Sequence, residues 1–72
     1  MIYLPKIKGE RLQIYNATNG SILRSISLPT NADYNFVVSG EFVVVSITFK
    51  NGSQRSRTYD MKTGALKSDL AI

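Results

Sequence analysis

Phe42-Val43-Val44-Val45-Ser46-Ile47-Thr48-Phe49-Lys50-Asn51-Gly52-Ser53-Gln54-Arg55-Ser56-Arg57-Thr58-Tyr59 decides the fold of this chain. A run of β-branched and aromatic residues precedes Asn51-Gly52 and a polar segment ending in Thr58-Tyr59 follows it, and the first prefers an extended, half-buried backbone. An Asn-Gly pair between them is a strong short-range hairpin signal, because a type I′ turn needs positive φ at both positions. The spacing therefore predicts a hairpin over 41–60 with a two-residue loop. That loop sets Phe49 opposite Gln54, Ile47 opposite Ser56 and Val45 opposite Thr58 on one face. The other face then carries Thr48 opposite Arg55, Ser46 opposite Arg57, Val44 opposite Tyr59 and Phe42 opposite Met61.

Outward from the hairpin, the same punctuation recurs. Turn signals at 8–10, 16–20, 29–33, 39–41, 51–52 and 60–64 cut the chain into segments 2–8, 10–16, 21–28, 34–39, 41–50, 53–60 and 65–71. No window of a dozen residues holds a helical apolar stripe. Connections this short leave no room for crossover helices, so neighbouring strands pair antiparallel. The expected fold is all-β, a small antiparallel meander of about seven short strands curled into a sandwich or a partly open barrel. Its core is expected around Ile14, Ile22, Ile26, Phe36, Val38, Val43, Val45, Ile47 and Phe49. The whole of 1–72 reads as one β domain. Segments 2–8 and 65–71 are the expected edge strands, or strands shared between subunits, and Pro5 suits an edge because it donates no ladder hydrogen bond.

Composition bounds the chemistry. Seventy-two residues, 43% apolar, allow one small core, and with no Cys and no His the usual reinforcement by disulfide or structural zinc is missing. Self-association is the device that remains. The absence of His also removes the side chain that titrates near neutrality. Eight Ser and five Thr are present, but the Ser-x-x-Lys pattern is not. Glu10, Asp33, Glu41, Asp60 and Asp69 are isolated from one another, and the five Gly are spaced as turns and not clustered as a phosphate cradle. No catalytic residue, metal site, cofactor or small-molecule substrate is expected, and the chain reads as a non-enzyme. Without a signal peptide or an 18-residue apolar run, it reads as soluble, in the cytoplasm or a virion, with no membrane partner.

A repeat runs through the chain. Leu12-Gln13-Ile14-Tyr15-Asn16-Ala17-Thr18-Asn19-Gly20-Ser21-Ile22 returns 44 positions later as Ser56-Arg57-Thr58-Tyr59-Asp60-Met61-Lys62-Thr63-Gly64-Ala65-Leu66. Each copy reads as a strand ending in Tyr, an Asx side chain bonding the turn's N–H groups, a left-handed Gly and a new apolar strand. In these residues the chain resembles β-propeller blades of the quinoprotein-like and WD-like kind, whose outer strand ends in a Tyr-Asp-x-x-Thr-Gly turn. The resemblance implies a blade-like unit over 21–60. The chain holds well under two such blades, whereas a closed propeller needs at least four.

Two surfaces follow from the expected hairpin register. Phe42, Val44, Tyr59 and Met61 form an apolar patch on the reverse face, which in so small a protein points to a contact with another copy or with other subunits of an assembly. The leading expectation is a non-catalytic structural or interaction protein of this kind, by compositional analogy a virion component such as a capsid-decorating or head–tail joining protein. Lys50, Arg55 and Arg57 beside Tyr59 form the second surface. With a net charge of +4, three cations near an aromatic suit a nucleic-acid-binding sheet, the alternative expectation.

Overall fold

The computed structural model describes residues 2–72. Seven strands form: β1 (Tyr3–Lys8), β2 (Arg11–Asn16), β3 (Ile22–Ser27), β4 (Ala32–Ser39), β5 (Phe42–Phe49), β6 (Gln54–Asp60) and β7 (Leu66–Ala71). Six lie within the segments marked off by the turn residues, β4 begins two residues before its expected segment 34–39, and every Gly between the strands has a positive φ. All pairings are antiparallel and join consecutive strands. They make a three-stranded sheet, β1-β2-β3, and a four-stranded sheet, β4-β5-β6-β7. The fold is thus an all-β meander in two sheets, not closed into a barrel. β1 and β7 are edge strands, as their place at the ends of the chain implied.

The sheets share one buried cluster: Leu12 and Ile14 from the smaller sheet, Val43, Val45, Ile47 and Tyr59 from the larger, and Leu28 and Met61 from the connections. Residues 28–31 carry the chain from one sheet to the other. Leu28 N donates to Glu10 O at 2.9 Å, and Asn31, left-handed at φ 56°, has its N–H 3.3 Å from Glu10 Oε2. The Tyr34 hydroxyl donates to Pro29 O and ties the start of β4 to this connection.

The 5-to-6 hairpin departs from the expected register by one residue. Its connection is the three residues Lys50-Asn51-Gly52. Phe49 N donates to Ser53 O and Gly52 N donates to Phe49 O, each at 2.9 Å, with Gly52 at φ 89°. This is a type I turn closed by a left-handed Gly, the commonest three-residue solution. Asn51 keeps an ordinary negative φ and instead accepts from Ser53 N at 2.9 Å and Ser53 Oγ at 2.7 Å. The observed partners are therefore Val43 with Tyr59, Val45 with Arg57 and Ile47 with Arg55. A one-residue slip exchanges faces, so Arg55, Arg57 and Tyr59 share the core side with the buried valines.

Three expected core residues lie elsewhere. Ile22 is 56% exposed, because the bulge at Ile14/Tyr15 sets it opposite Tyr15 on the outward face of the smaller sheet. Phe36 and Val38 do sit on the core side of β4, opposite Val45 and Val43, yet remain 38% and 46% exposed. Leu12, Leu28, Tyr59 and Met61 occupy the interior that these three were expected to fill.

The 44-residue repeat is present down to its hydrogen bonds. Asn16 Oδ1 accepts from Thr18 N at 2.9 Å and Asp60 Oδ1 from Lys62 N at 2.8 Å. Gly20 N and Gly64 N donate to Asn16 O and Asp60 O, both at 2.7 Å, with φ of 76° and 80°. A bulge precedes each turn, at Ile14/Tyr15 and at Thr58/Tyr59. Asn16 pairs with Tyr3 as Asp60 pairs with Phe42, so β1-β2-β3 and β5-β6-β7 repeat one another in register. The packing of the two is not symmetric. Tyr59 faces the core, whereas the equivalent Tyr15 lies outward beside Gln13, whose Oε1 accepts from its hydroxyl at 2.6 Å.

Candidate functional site

The expected apolar patch does not exist as one surface. Tyr59 and Met61, 4% and 1% exposed, belong to the core, while Phe42, 40% exposed, and Val44, half-buried, lie on the reverse face. The register is the cause: Val44 pairs with Thr58 and Phe42 with Asp60. What accompanies Phe42 and Val44 on that face is Val37, which pairs with Val44 and is 68% exposed.

Around β4 these residues meet a second exposed group. Phe36, Val37 and Val38 are consecutive and all exposed, with Phe36 and Val38 on the core side and Val37 on the reverse. β4 pairs only with β5, so its other edge presents unpaired backbone N–H and C=O groups. The alternation of residues pointed to Phe36 and Val38 as core. That the smaller sheet leaves them uncovered is a property of how the sheets pack, for which the sequence carries no signal.

The expected basic constellation is divided as well. Lys50 stands exposed in the turn. Arg55 and Arg57 share the core side of β6, where both converge on Asp69 of β7. Arg55 Nε donates to Asp69 Oδ1 at 2.9 Å, and Arg57 Nε, itself buried, faces Asp69 Oδ2 at 3.4 Å without a hydrogen bond. Arg57 Nη1 also donates to the Tyr59 hydroxyl at 3.4 Å. Ser46 and Thr48, which the expected register set opposite Arg57 and Arg55, lie on the opposite face. The hydrogen bond from Arg55, then the nearby guanidinium charges, hold the Asp69 carboxyl below its ordinary range. The hydrogen bond to Tyr59 contributes most to raising Arg57. One carboxylate between two guanidiniums leaves a single positive charge, and that charge is drawn into a structural network.

A different basic face emerges on the smaller sheet. Lys6, Lys8 and Arg11 share its outward side with Gln13 and Tyr15, since Lys6 pairs with Gln13 and Lys8 with Arg11. Lys6 Nζ lies 5.5 Å from the centre of the Tyr15 ring, within reach of a cation–π attraction. The alternation Lys6-Ile7-Lys8 was the available signal for this face.

Among the described residues there is no pocket, no group of three or more His, Cys, Asp or Glu able to hold a metal, and no helix long and apolar enough to cross a membrane. No family model, curated protein or solved structure matches the chain.

Proposed function

We propose that this chain is a non-catalytic structural or interaction protein that works as a homo-oligomer or as one component of a larger assembly, as a virion component does. The observation that carries the reading is the run Phe36-Val37-Val38, exposed on an edge strand and continued by Phe42 on the neighbouring strand. Isolated exposed apolar residues are ordinary, whereas several gathered on both faces of a strand whose outer edge is unpaired mark a contact surface. A core of this size also gains from added burial, which association supplies.

The test is molar mass by size-exclusion chromatography with light scattering at low and high salt. A discrete multimer at both salts is expected, because apolar contacts are not screened. A strict monomer at hundreds of micromolar would overturn self-assembly.

A second reading, binding of single-stranded nucleic acid, draws on the outward face of the smaller sheet. Lys6, Lys8 and Arg11 would contact phosphates and Tyr15 would stack a base. Counterion release then requires the logarithm of the affinity to fall with that of salt by about 0.7 for each phosphate contacted. Binding that is absent, or indifferent to salt, removes this reading.

A further inference from the structure

We infer that β4 is the strand through which a second copy of this chain adds, antiparallel and across a two-fold axis, joining two four-stranded sheets into one of eight strands. The inference rests on the self-assembly reading above and specifies its contact.

The four free edges of the molecule are not equivalent. β1 carries Pro5, Lys6 and Lys8, devices that discourage strand addition. β3 and β7 each contain a bulge in their pairing and carry Arg24 and Lys67. β4 is the longest of the four, eight residues, paired to β5 without a register shift and lacking Pro, Lys and Arg. It alone combines a straight, unguarded edge with three consecutive exposed apolar side chains.

Charge selects the occupant. The chain carries +4, but none of its nine cations falls within 25–49, the stretch that contains β4 and β5. Two copies meeting at β1 or β3 bring cations against cations, and at β7 the carboxylate that could offset Lys67, Asp69, is already engaged by Arg55 and Arg57, whereas two copies meeting at β4 bring no cation together. Charge also selects the register. A two-fold axis at Val37 sets Asp33 against the partner's Glu41, and an axis at Asn35 sets Asp33 against the partner's Val37. An axis at Phe36 avoids both. It places Phe36 beside the partner's Phe36 and Tyr34 beside the partner's Val38 on the core side. On the reverse side Asp33 meets the partner's Ser39, an acceptor opposite a donor. The exposed core-side residues thus extend the apolar interior across the axis, in the self-complementary manner of an isologous contact. A single strand-to-strand contact falls below the roughly 1,200 Å² of total buried surface typical of stable complexes, so the dimer dissociates on dilution.

Four variants test this, each checked for its β-sheet circular dichroism spectrum. Val37→Lys adds a cation to each edge at a position that is 68% exposed, and should raise the dimer dissociation constant at least about tenfold. Asn35→Lys, also exposed, does the same job should Val37→Lys fail to fold. Phe36→Cys, in a chain with no other Cys, should give a disulfide-linked dimer under mild oxidation, while Ser46→Cys on β5 should not. A wild-type chain that stays monomeric at hundreds of micromolar would overturn both the self-assembly reading and this contact. A wild-type multimer that neither lysine variant weakens, or in which Phe36→Cys fails to cross-link, would overturn the β4 contact and leave self-assembly standing.

Discussion

Asp69 lies opposite Arg57 in the β6–β7 ladder, and its two carboxylate oxygens face different guanidiniums, Oδ1 that of Arg55 at 2.9 Å and Oδ2 that of Arg57 at 3.4 Å. The carboxyl titrates below its ordinary range, so its contribution to stability is complete above the unfolded value of about 4 and is lost as pH falls from there through the folded value. Asp69→Asn should lower the urea midpoint at pH 7. As pH falls through the folded value, the midpoints of the variant and wild type should converge. Equal midpoints at pH 7 would show that the pair is neutral in effect.

Truncation should separate the shared core from the reverse face of the four-stranded sheet. Met61 is 1% exposed and Ile14 fully buried, so Met61→Ala and Ile14→Ala should each cost about 2–5 kcal/mol in chemical denaturation. Val37 is 68% exposed, and Val37→Ala should stay within about 0.5 kcal/mol for the monomer. For 72 residues total stability is on the order of 4–11 kcal/mol, so either core variant should remove a large share of it and lower the denaturation midpoint clearly.

The two repeat turns offer an internal control. Gly20 and Gly64 hold nearly the same backbone conformation, φ 76° and 80°. An added Cβ meets nothing within 4 Å at Gly20, but at Gly64 it falls 2.9 Å from Arg24 Cδ. Both alanine variants should lose about 1–2 kcal/mol to left-handed strain. Gly64→Ala should lose roughly a further 1 kcal/mol, because the Arg24 guanidinium that donates to Lys62 O at 2.6 Å must move. Equal losses would mean that the arginine re-seats freely.

The hairpin turn should respond unequally at Asn51 and Gly52. Gly52→Ala should cost about 1–2 kcal/mol because only Gly52 is left-handed. Asn51→Ala loses just its hydrogen bonds from Ser53, about 0.5–1.5 kcal/mol. Thermal melts of the two variants decide it.

The strand pattern was legible because turn residues are local. Each Gly and Asx that ends a segment acts on its own backbone, and all seven segments carry strands. Faces were harder to read. Lys50-Asn51-Gly52 contains a two-residue and a three-residue hairpin solution, and the choice between them moved Arg55, Arg57 and Tyr59 from the reverse face to the core side. The pairing of Arg55 with Asp69 depends on that choice and on β7, so no local pattern announces it. Phe36 and Val38 alternate like core residues, and only the reach of the other sheet decides whether they are covered. The candidate contact surface was therefore half legible: Phe42 and Val44 from the hairpin, with β4 supplying the rest.

The connection at 28–31 has a kinetic consequence. Within each sheet every strand pairs with its neighbour in sequence, so each sheet can close through turns of two to five residues without waiting for the other. Hairpins of this kind form in about 1–10 µs. The slow event is the docking of two preformed meanders about a single tether, which buries Leu12 and Ile14 against Val43, Val45 and Ile47 in one step. Lengthening that tether with Gly and Ser should slow folding through the entropy of closure and leave the ladders untouched.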